Sequence, residues 1–359
     1  VENNTGRKFQ FQLFMPNGYL EKVDGFTKNF ELVAVQHSAL TIQKLIPKAE
    51  RRCRFCKKTY GQTKFKKEAH IIPEMLGNKN LLSYSECDNC NYQFGQFENE
   101  LAHFLGIFRT ISGVDAKQGV PCFKSPDQQI IAKANGETID ILREDTSNDA
   151  IKVNKDLSNL TVRYKKPSYS PLMVYKAFVK IAMSIIKEHE LNEDYQLAID
   201  FLLHPNSIKM TGCFVSGYTL PFSYNLPPQA YLFKKKDAMS PMHTHVLALY
   251  FQNFIFSIPV PLNKKDFFFY NKENVLKLPE YPPLLLEPTN MIDLTLTPFM
   301  NDFSSPDKVK GEEGELFFEF DKEHFEHTPT FDQNPVNGVM PEFRPDDVVK
   351  ISISKHTGE

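Results

Sequence analysis

The chain has 359 residues, with 42 Lys+Arg against 44 Asp+Glu, ten His, six Cys and no Trp. At roughly 100 to 200 residues per domain this length suits about two domains with real cores, and 41% apolar with 24% charged residues is neither a disordered nor a collagenous composition. A net charge of −2, taken as an average, argues against a phosphate-binding partner, because counterion release needs a basic surface.

Residues 1–50 mix short β-like runs, Phe9 to Met15 and Phe30 to Val35, with a turn at Pro16-Asn17-Gly18, and read as an N-terminal extension. No apolar run before Pro16 is long enough for a signal-peptide core. The apolar stretches Leu172 to Ile186 and Val246 to Val260 are broken by Lys176 and Lys180, or by Gln252 and Asn253, and fall short of the ~18 uninterrupted residues of a membrane span. The expectation is a cytoplasmic protein with no membrane partner.

Residues 51–112 are set apart by cysteines. Cys53-x2-Cys56 and Cys87-x2-Cys90 stand 30 residues apart, and each pair can give two thiolates to one tetrahedral Zn2+, a structural ion. Two such pairs are a strong signal where one would be weak. Between them runs Glu68-Ala69-His70-Ile71-Ile72-Pro73, then Asn78-Lys79-Asn80-Leu81, and Asn91 follows the second pair at once.

This order of elements over about 60 residues resembles the HNH nuclease superfamily, also called the ββα-metal or His-Me finger nucleases, in its zinc-bearing form. The resemblance implies an α+β chain in which a ββα-metal, treble-clef-like module is joined to a larger α+β domain. It implies His70 as general base, an imidazole able to take a proton from water near neutral pH. Asn80 would orient that base, with Asn78 competing for the position. Asn91 would present its amide oxygen to a catalytic divalent cation, most simply Mg2+. Many relatives carry a metal ligand directly before the base, but this chain has Ala69. Glu68, two residues before His70 and therefore on the same face of a strand, stands in as the possible second ligand, with Glu98 an alternative further along the helix.

Charge by segment answers the opening objection. From Arg51 to Lys67 there are eight basic residues and no acid, whereas Asn301 to Glu326 holds nine acids against three lysines. The basic island is either a solvated face or a phosphate-tracking surface beside the base.

Beyond the module, residues 113–168 form a β-rich segment with runs at Thr138–Leu142 and Asn159–Tyr164 and turn signals at Asn135-Gly136 and Asn148-Asp149. Residues 169–300 are expected to be an α+β domain. Leu172, Tyr175, Phe178, Val179, Met183 and Ile186 recur at helical spacing with Lys176, Lys180 and Lys187 mostly on the other side. A second helix is expected over Glu193–Leu203, then β runs at Lys209–Val215 and Val246–Ile258. Residues 301–359 are an acidic, proline-containing tail. His243-x-His245 has metal-ligand spacing but no third ligand near it, and reads as a polar strand edge. His103 reads as a helix-surface residue, Cys122 and Cys213 as buried thiols, and the Phe254/Phe256 and Phe267–Tyr270 stretches as core rather than a base-stacking platform.

The resemblance thus implies a metal-dependent endonuclease hydrolysing DNA phosphodiesters, with double-stranded DNA as partner. The large remainder suggests, by analogy of layout, a restriction or anti-phage defence protein with a regulatory partner or homo-oligomer. Two alternatives stay open: a catalytically inactive zinc-dependent nucleic-acid binding protein, and an RNA-cleaving toxin.

Overall fold

The computed structural model describes residues 19–41, 43–144, 149–154, 158–204, 210, 212–220, 227–270, 276–282, 297–319 and 348–354. The β run expected at Phe9–Met15 and the turn at Pro16–Gly18 lie outside these. In chain order the elements are α1 (Tyr19–Asn29), β1 (Phe30–His37), α2 (Asp88–Leu105), α3 (Phe108–Ile111), β2 (Phe123–Lys124), β3 (Ile130–Asn135), β4 (Thr138–Arg143), β5 (Ile151–Val153), β6 (Asn159–Lys165), α4 (Pro171–Ile185), α5 (Gln196–Leu203), β7 (Phe214–Thr219), β8 (Gln229–Lys235), β9 (His245–Phe251), β10 (Phe254–Pro259), β11 (Thr297–Asp302), β12 (Glu313–Glu319) and β13 (Lys350–Ser354). Helix and sheet are mixed, and every strand pairing described is antiparallel, so the architecture is α+β.

The contacts divide the chain into two compact units. The first comprises Val1–Pro73, Asn78–Gly95 and Tyr175–Ser304. Its six-stranded sheet runs in the order β1-β8-β9-β10-β7-β11. The continuous apolar runs Ala230–Phe233 and Val246–Leu249 are buried throughout, as expected of strands covered on both faces. The run expected at Val246–Ile258 is a hairpin, β9 and β10 joined through Gln252 in the left-handed region at φ 53°. Phe178 of α4 packs on Phe256 of β10, ring centroids 5.0 Å apart. Phe26 of α1 meets Phe30 and Phe233.

α4 departs from the sequence expectation. The spacing predicts an amphipathic helix with a lysine face, yet every residue from Val174 to Ile186 is buried, including Lys176 and Lys180. Lys176 Nζ lies 4.2 Å from the centre of the Phe201 ring, and burial lowers its pKa to about 8. Lys187 alone of the three is exposed. A long aliphatic stem lets a lysine occupy a helix–sheet interior if its ammonium finds a partner. The second expected helix begins as a 3-10 turn at Glu193–Tyr195, capped by the Asn192 side chain accepting from Asp194 N, and continues as α5.

The second unit comprises Glu74–Gly77, Gln96–Val174 and Ser305–Glu359. Its sheets run in the orders β13-β4-β3-β2 and β12-β6-β5. β3 and β4 are joined at the Asn135-Gly136 signal, where Asn135 pairs with Thr138 and Gly136 takes φ 61°, a left-handed turn geometry that glycine allows without strain. Its core includes Ile130, Ile141, Ile151, Val162 and Leu316. Cys122 is exposed, contrary to the expected burial, whereas Cys213 in the first unit is buried.

Candidate metal centre

Cys53, Cys56, Cys87 and Cys90 bring their sulfur atoms within 4.8 Å of one another. Cys53 Sγ and Cys90 Sγ are 3.7 Å apart, as are Cys56 Sγ and Cys87 Sγ. Four thiolates around a tetrahedral zinc with arms of about 2.3 Å have edges of about 3.8 Å, so the cluster has the size of a four-cysteine zinc site. Its protonation fits as well. The Cys87 thiolate is held far below its usual range by hydrogen bonds from the Cys53 and Cys90 thiols. Cys53 is pushed up to about 12, chiefly through its bond to Cys87, and Cys90 is raised by the same crowding and by burial. Four sulfurs this close, three of them buried and that of Cys56 half-buried, cannot all ionise without a compensating cation.

Local bonds explain why these residues converge. Cys53 N donates to Lys58 O and Lys57 N to Cys53 O, with Lys57 at φ 61°, a tight knuckle over the first pair. Of the second pair, Cys87 directly precedes α2 and Cys90 lies in its first turn. Phe55 packs edge-on to Phe94, centroids 4.7 Å apart. Asp88 does not cap its own helix. Its Oδ1 accepts from Lys66 N at 2.8 Å and Lys67 N at 3.0 Å, while its N donates to Lys64 O. The basic segment is thereby stapled to the start of α2.

His70 sits in a minimal two-stranded ladder. Ser83 N donates to Ala69 O at 2.7 Å and Ile71 N to Leu81 O at 3.1 Å, so His70 and Leu82 are the pair between, bridged but without mutual hydrogen bonds. Their own backbone groups face outward. Those of Leu82 are met by Gln43, whose side chain donates Nε2 to Leu82 O at 2.6 Å and accepts Leu82 N at 2.7 Å. The His70 carbonyl is met by Lys180 Nζ at 2.5 Å.

The loop from Ile72 to Leu81 is clamped by Asn78, fully buried. Its Nδ2 donates to Ile72 O at 2.6 Å and Leu81 O at 3.0 Å, and its Oδ1 accepts Asn80 N at 3.2 Å and Leu81 N at 2.8 Å. The Asn80 side chain is exposed. Asn91 reaches the base-bearing segment: its Nδ2 donates to Glu68 O at 3.3 Å. The Glu68 side chain is exposed and His70 half-buried. Ala69 is buried, so the position directly before His70 points into the core. Among the described residues no second group of three or more His, Cys, Asp or Glu could hold a metal.

Of the eight basic residues, Arg52, Lys58, Lys64, Lys66 and Lys67 are exposed and Arg51 and Lys57 half-buried. Arg54 is diverted inward. It donates Nη1 to Met183 O at 2.8 Å, to Ser184 O and to Ile186 O at 3.3 Å, and Nη2 to Glu188 at 3.2 Å. It thus satisfies the orphan carbonyls that end α4. Burial lowers its pKa. Gln93 does the same for α5, donating to Leu202 O at 3.0 Å and Leu203 O at 2.6 Å.

His243 and His245 are not at a strand edge. His245 opens β9, which lies between β8 and β10, His243 precedes that strand, and both imidazoles are buried. His245 Nδ1 bonds Tyr195 OH, and its Nε2 is 3.3 Å from Glu190. His245, Tyr195 and Glu190 line a cavity of about 130 Å³ with Lys234, Asn263 and Lys265. Phe256 and Phe269 are core residues as expected, but Phe267 and Phe268 are exposed. His103 is exposed on α2.

Sequence reasoning missed Gln43, Glu86 and Lys180. Nothing marked them, because their partners come from segments 39 to 110 residues away. Residues 53–103 match the family described as HNH endonuclease. The four-cysteine segment is therefore an HNH-family domain. No curated protein and no solved structure matches the chain. Among the described residues no helix is long and apolar enough to cross a membrane.

Proposed function

We propose that the chain is a metal-dependent endonuclease that hydrolyses DNA phosphodiester bonds, with His70 as the general base that activates water. The supporting observation is the Asn91–Glu68 hydrogen bond, which ties the first turns of α2 to the segment carrying His70, over a zinc-sized cysteine cluster. With its amide nitrogen engaged at Glu68 O, Asn91 keeps its oxygen for a cation, and the exposed Glu68 carboxylate sits on the same segment. One or two protein ligands with several waters suit Mg2+. Such a cation, when bound, stabilises charge on the phosphate and the leaving 3′ oxygen. Asn80 is proposed to orient the base, and Asn78 fixes the loop that presents it. Lys58, Lys64, Lys66 and Lys67 with Arg52 track the phosphates of double-stranded DNA. By the size of the remainder, a restriction or anti-phage role in the cytoplasm is the biological reading.

Supercoiled plasmid nicking tests this, with wild type against His70→Ala, in Mg2+ and in EDTA. Cleavage by wild type in Mg2+ alone is expected. Equal activity of the two proteins refutes the assignment. The buried Ala69 favours one rival, a zinc-dependent binding module without catalysis. That rival predicts salt-sensitive DNA binding with no nicking by wild type.

A further inference from the structure

We infer that Lys180, held by Glu86, is a positioning residue for the His70 base, and that α4 thereby controls the reactive geometry. The inference rests on the assignment of His70 as base. Lys180 Nζ donates to His70 O at 2.5 Å and lies 3.3 Å from the Glu86 carboxylate, with side-chain exposures of 1% and 0%. A cation and an anion taken this far out of water are costly unless each is paired, and replacing both with apolar groups would be the cheaper way to fill the space. What the pair adds is a fixed charged donor at one backbone atom.

That atom matters because of the ladder. His70 and Leu82 are a non-hydrogen-bonded pair flanked by only two cross-strand bonds, and a ladder this short does not hold its own register or twist. Both outward edges are closed by side chains, Gln43 on Leu82 and Lys180 on His70. Lys180 therefore fixes the peptide plane immediately after the His70 Cα, which sets where the imidazole projects. The helix that carries Lys180 is in turn anchored to the zinc knuckle through Arg54, which lies between Cys53 and Phe55 and binds the carbonyls of Met183, Ser184 and Ile186. Base and zinc share one rigid support. A misplacement of about 1 Å at a reacting group can cost on the order of 100-fold in rate.

The test is the double variant Lys180→Met with Glu86→Gln, which removes both charges, shortens the lysine by one heavy atom and leaves the shape of the glutamate unchanged. Zinc content, hydrogen exchange over residues 66–84 and steady-state nicking are measured on the full chain. The expected result is one zinc per chain as in wild type, at least 10-fold faster exchange of the Ile71 and Ser83 amides, and a kcat reduced at least 10-fold with KM for plasmid unchanged. A merely structural pair would change stability without this split. Unchanged exchange overturns the inference, as does faster exchange with an unchanged kcat. If wild type itself does not nick DNA, the nuclease assignment fails, while the exchange result still decides whether Lys180 holds the His70 strand. Should the double variant lose zinc, Lys180→Arg is read in its place, since it keeps a cation beside Glu86 but moves the donor away from His70 O; the same exchange and kcat outcomes apply.

Discussion

Replacing Asn78 and Asn80 in turn separates two residues that look alike in sequence. Asn78→Ala deletes four hydrogen bonds of 2.6 to 3.2 Å at a fully buried site. Two of the four backbone partners keep other solutions: Leu81 O also accepts Ile71 N, and Asn80 is exposed, so its N can turn to water. Ile72 O and Leu81 N then carry the loss, in residues that are buried. At about 1 to 3 kcal/mol for each buried group left unmade, the expected destabilisation is about 3 kcal/mol. Asn78→Asp keeps the two accepted bonds but turns the donor into a carboxylate oxygen facing two carbonyls, and is expected to cost at least as much. Asn80→Ala touches no side-chain bond and should stay within about 0.5 kcal/mol of wild type. Urea unfolding at a fixed excess of free zinc is the assay, because zinc bound only to the native state would otherwise shift the midpoint. An Asn78→Ala loss below about 0.5 kcal/mol, or a larger loss in Asn80→Ala, would refute the clamp. Nicking by Asn80→Ala then reports on orientation of the base free of any folding effect.

Three further outcomes are expected. Arg54→Met strips the carbonyls ending α4 of their donor and leaves Glu188 without its partner; a loss of about 3 kcal/mol is expected by urea unfolding, and a change under about 1 kcal/mol would show that water replaces the guanidinium. Wild type is expected to bind one zinc per chain, and Cys90→Ser or chelation to abolish that binding and unfold residues 53–94 as seen by proteolysis; zinc uptake by the apoprotein should release protons into weak buffer, because thiols such as Cys53, pushed up to about 12, must ionise to bind. Finally, burial lowers both His243 and His245 from 6.5 to about 4. The folded chain then binds fewer protons than the unfolded chain between pH 6.5 and 4, so stability is complete above the upper value and falls as pH drops through that window. The loss is on the order of 3 kcal/mol per buried imidazole, read from melting in excess zinc, and a profile as flat as that of His243→Asn with His245→Asn would contradict the burial argument.

Much of the chemistry is carried by short-range pattern and is legible in the chain. Cys53-x2-Cys56 and Cys87-x2-Cys90 stand out by spacing, because a knuckle and a helix turn each hold two thiols close with few residues, and the two pairs meet within 4.8 Å. The hairpin at Asn135-Gly136 forms where the turn residues stand, and α4 and α5 fall on the stretches with helical spacing. The basic island from Arg51 to Lys67 is likewise a fact of sequence that the average charge conceals.

Other features depend on what lies across the fold. Lys180 sits on α4 at a spacing that suggests solvent, and only the arrival of Glu86 and the His70 carbonyl, 94 and 110 residues away in sequence, makes its burial tolerable. Arg54 reads as one more cation of the basic run until the end of α4 is placed beside it. Asn78 and Asn80 differ by one alternation of a loop, which local propensity does not resolve, yet one is sealed inside and the other faces water. Spacing between neighbours marked the two cysteine pairs because the geometry within each pair is local; the meeting of the pairs across 31 to 37 residues and the fate of each charged or amide side chain near them were decided by the tertiary structure, since desolvating a polar group is tolerable only where a distant segment supplies its partner.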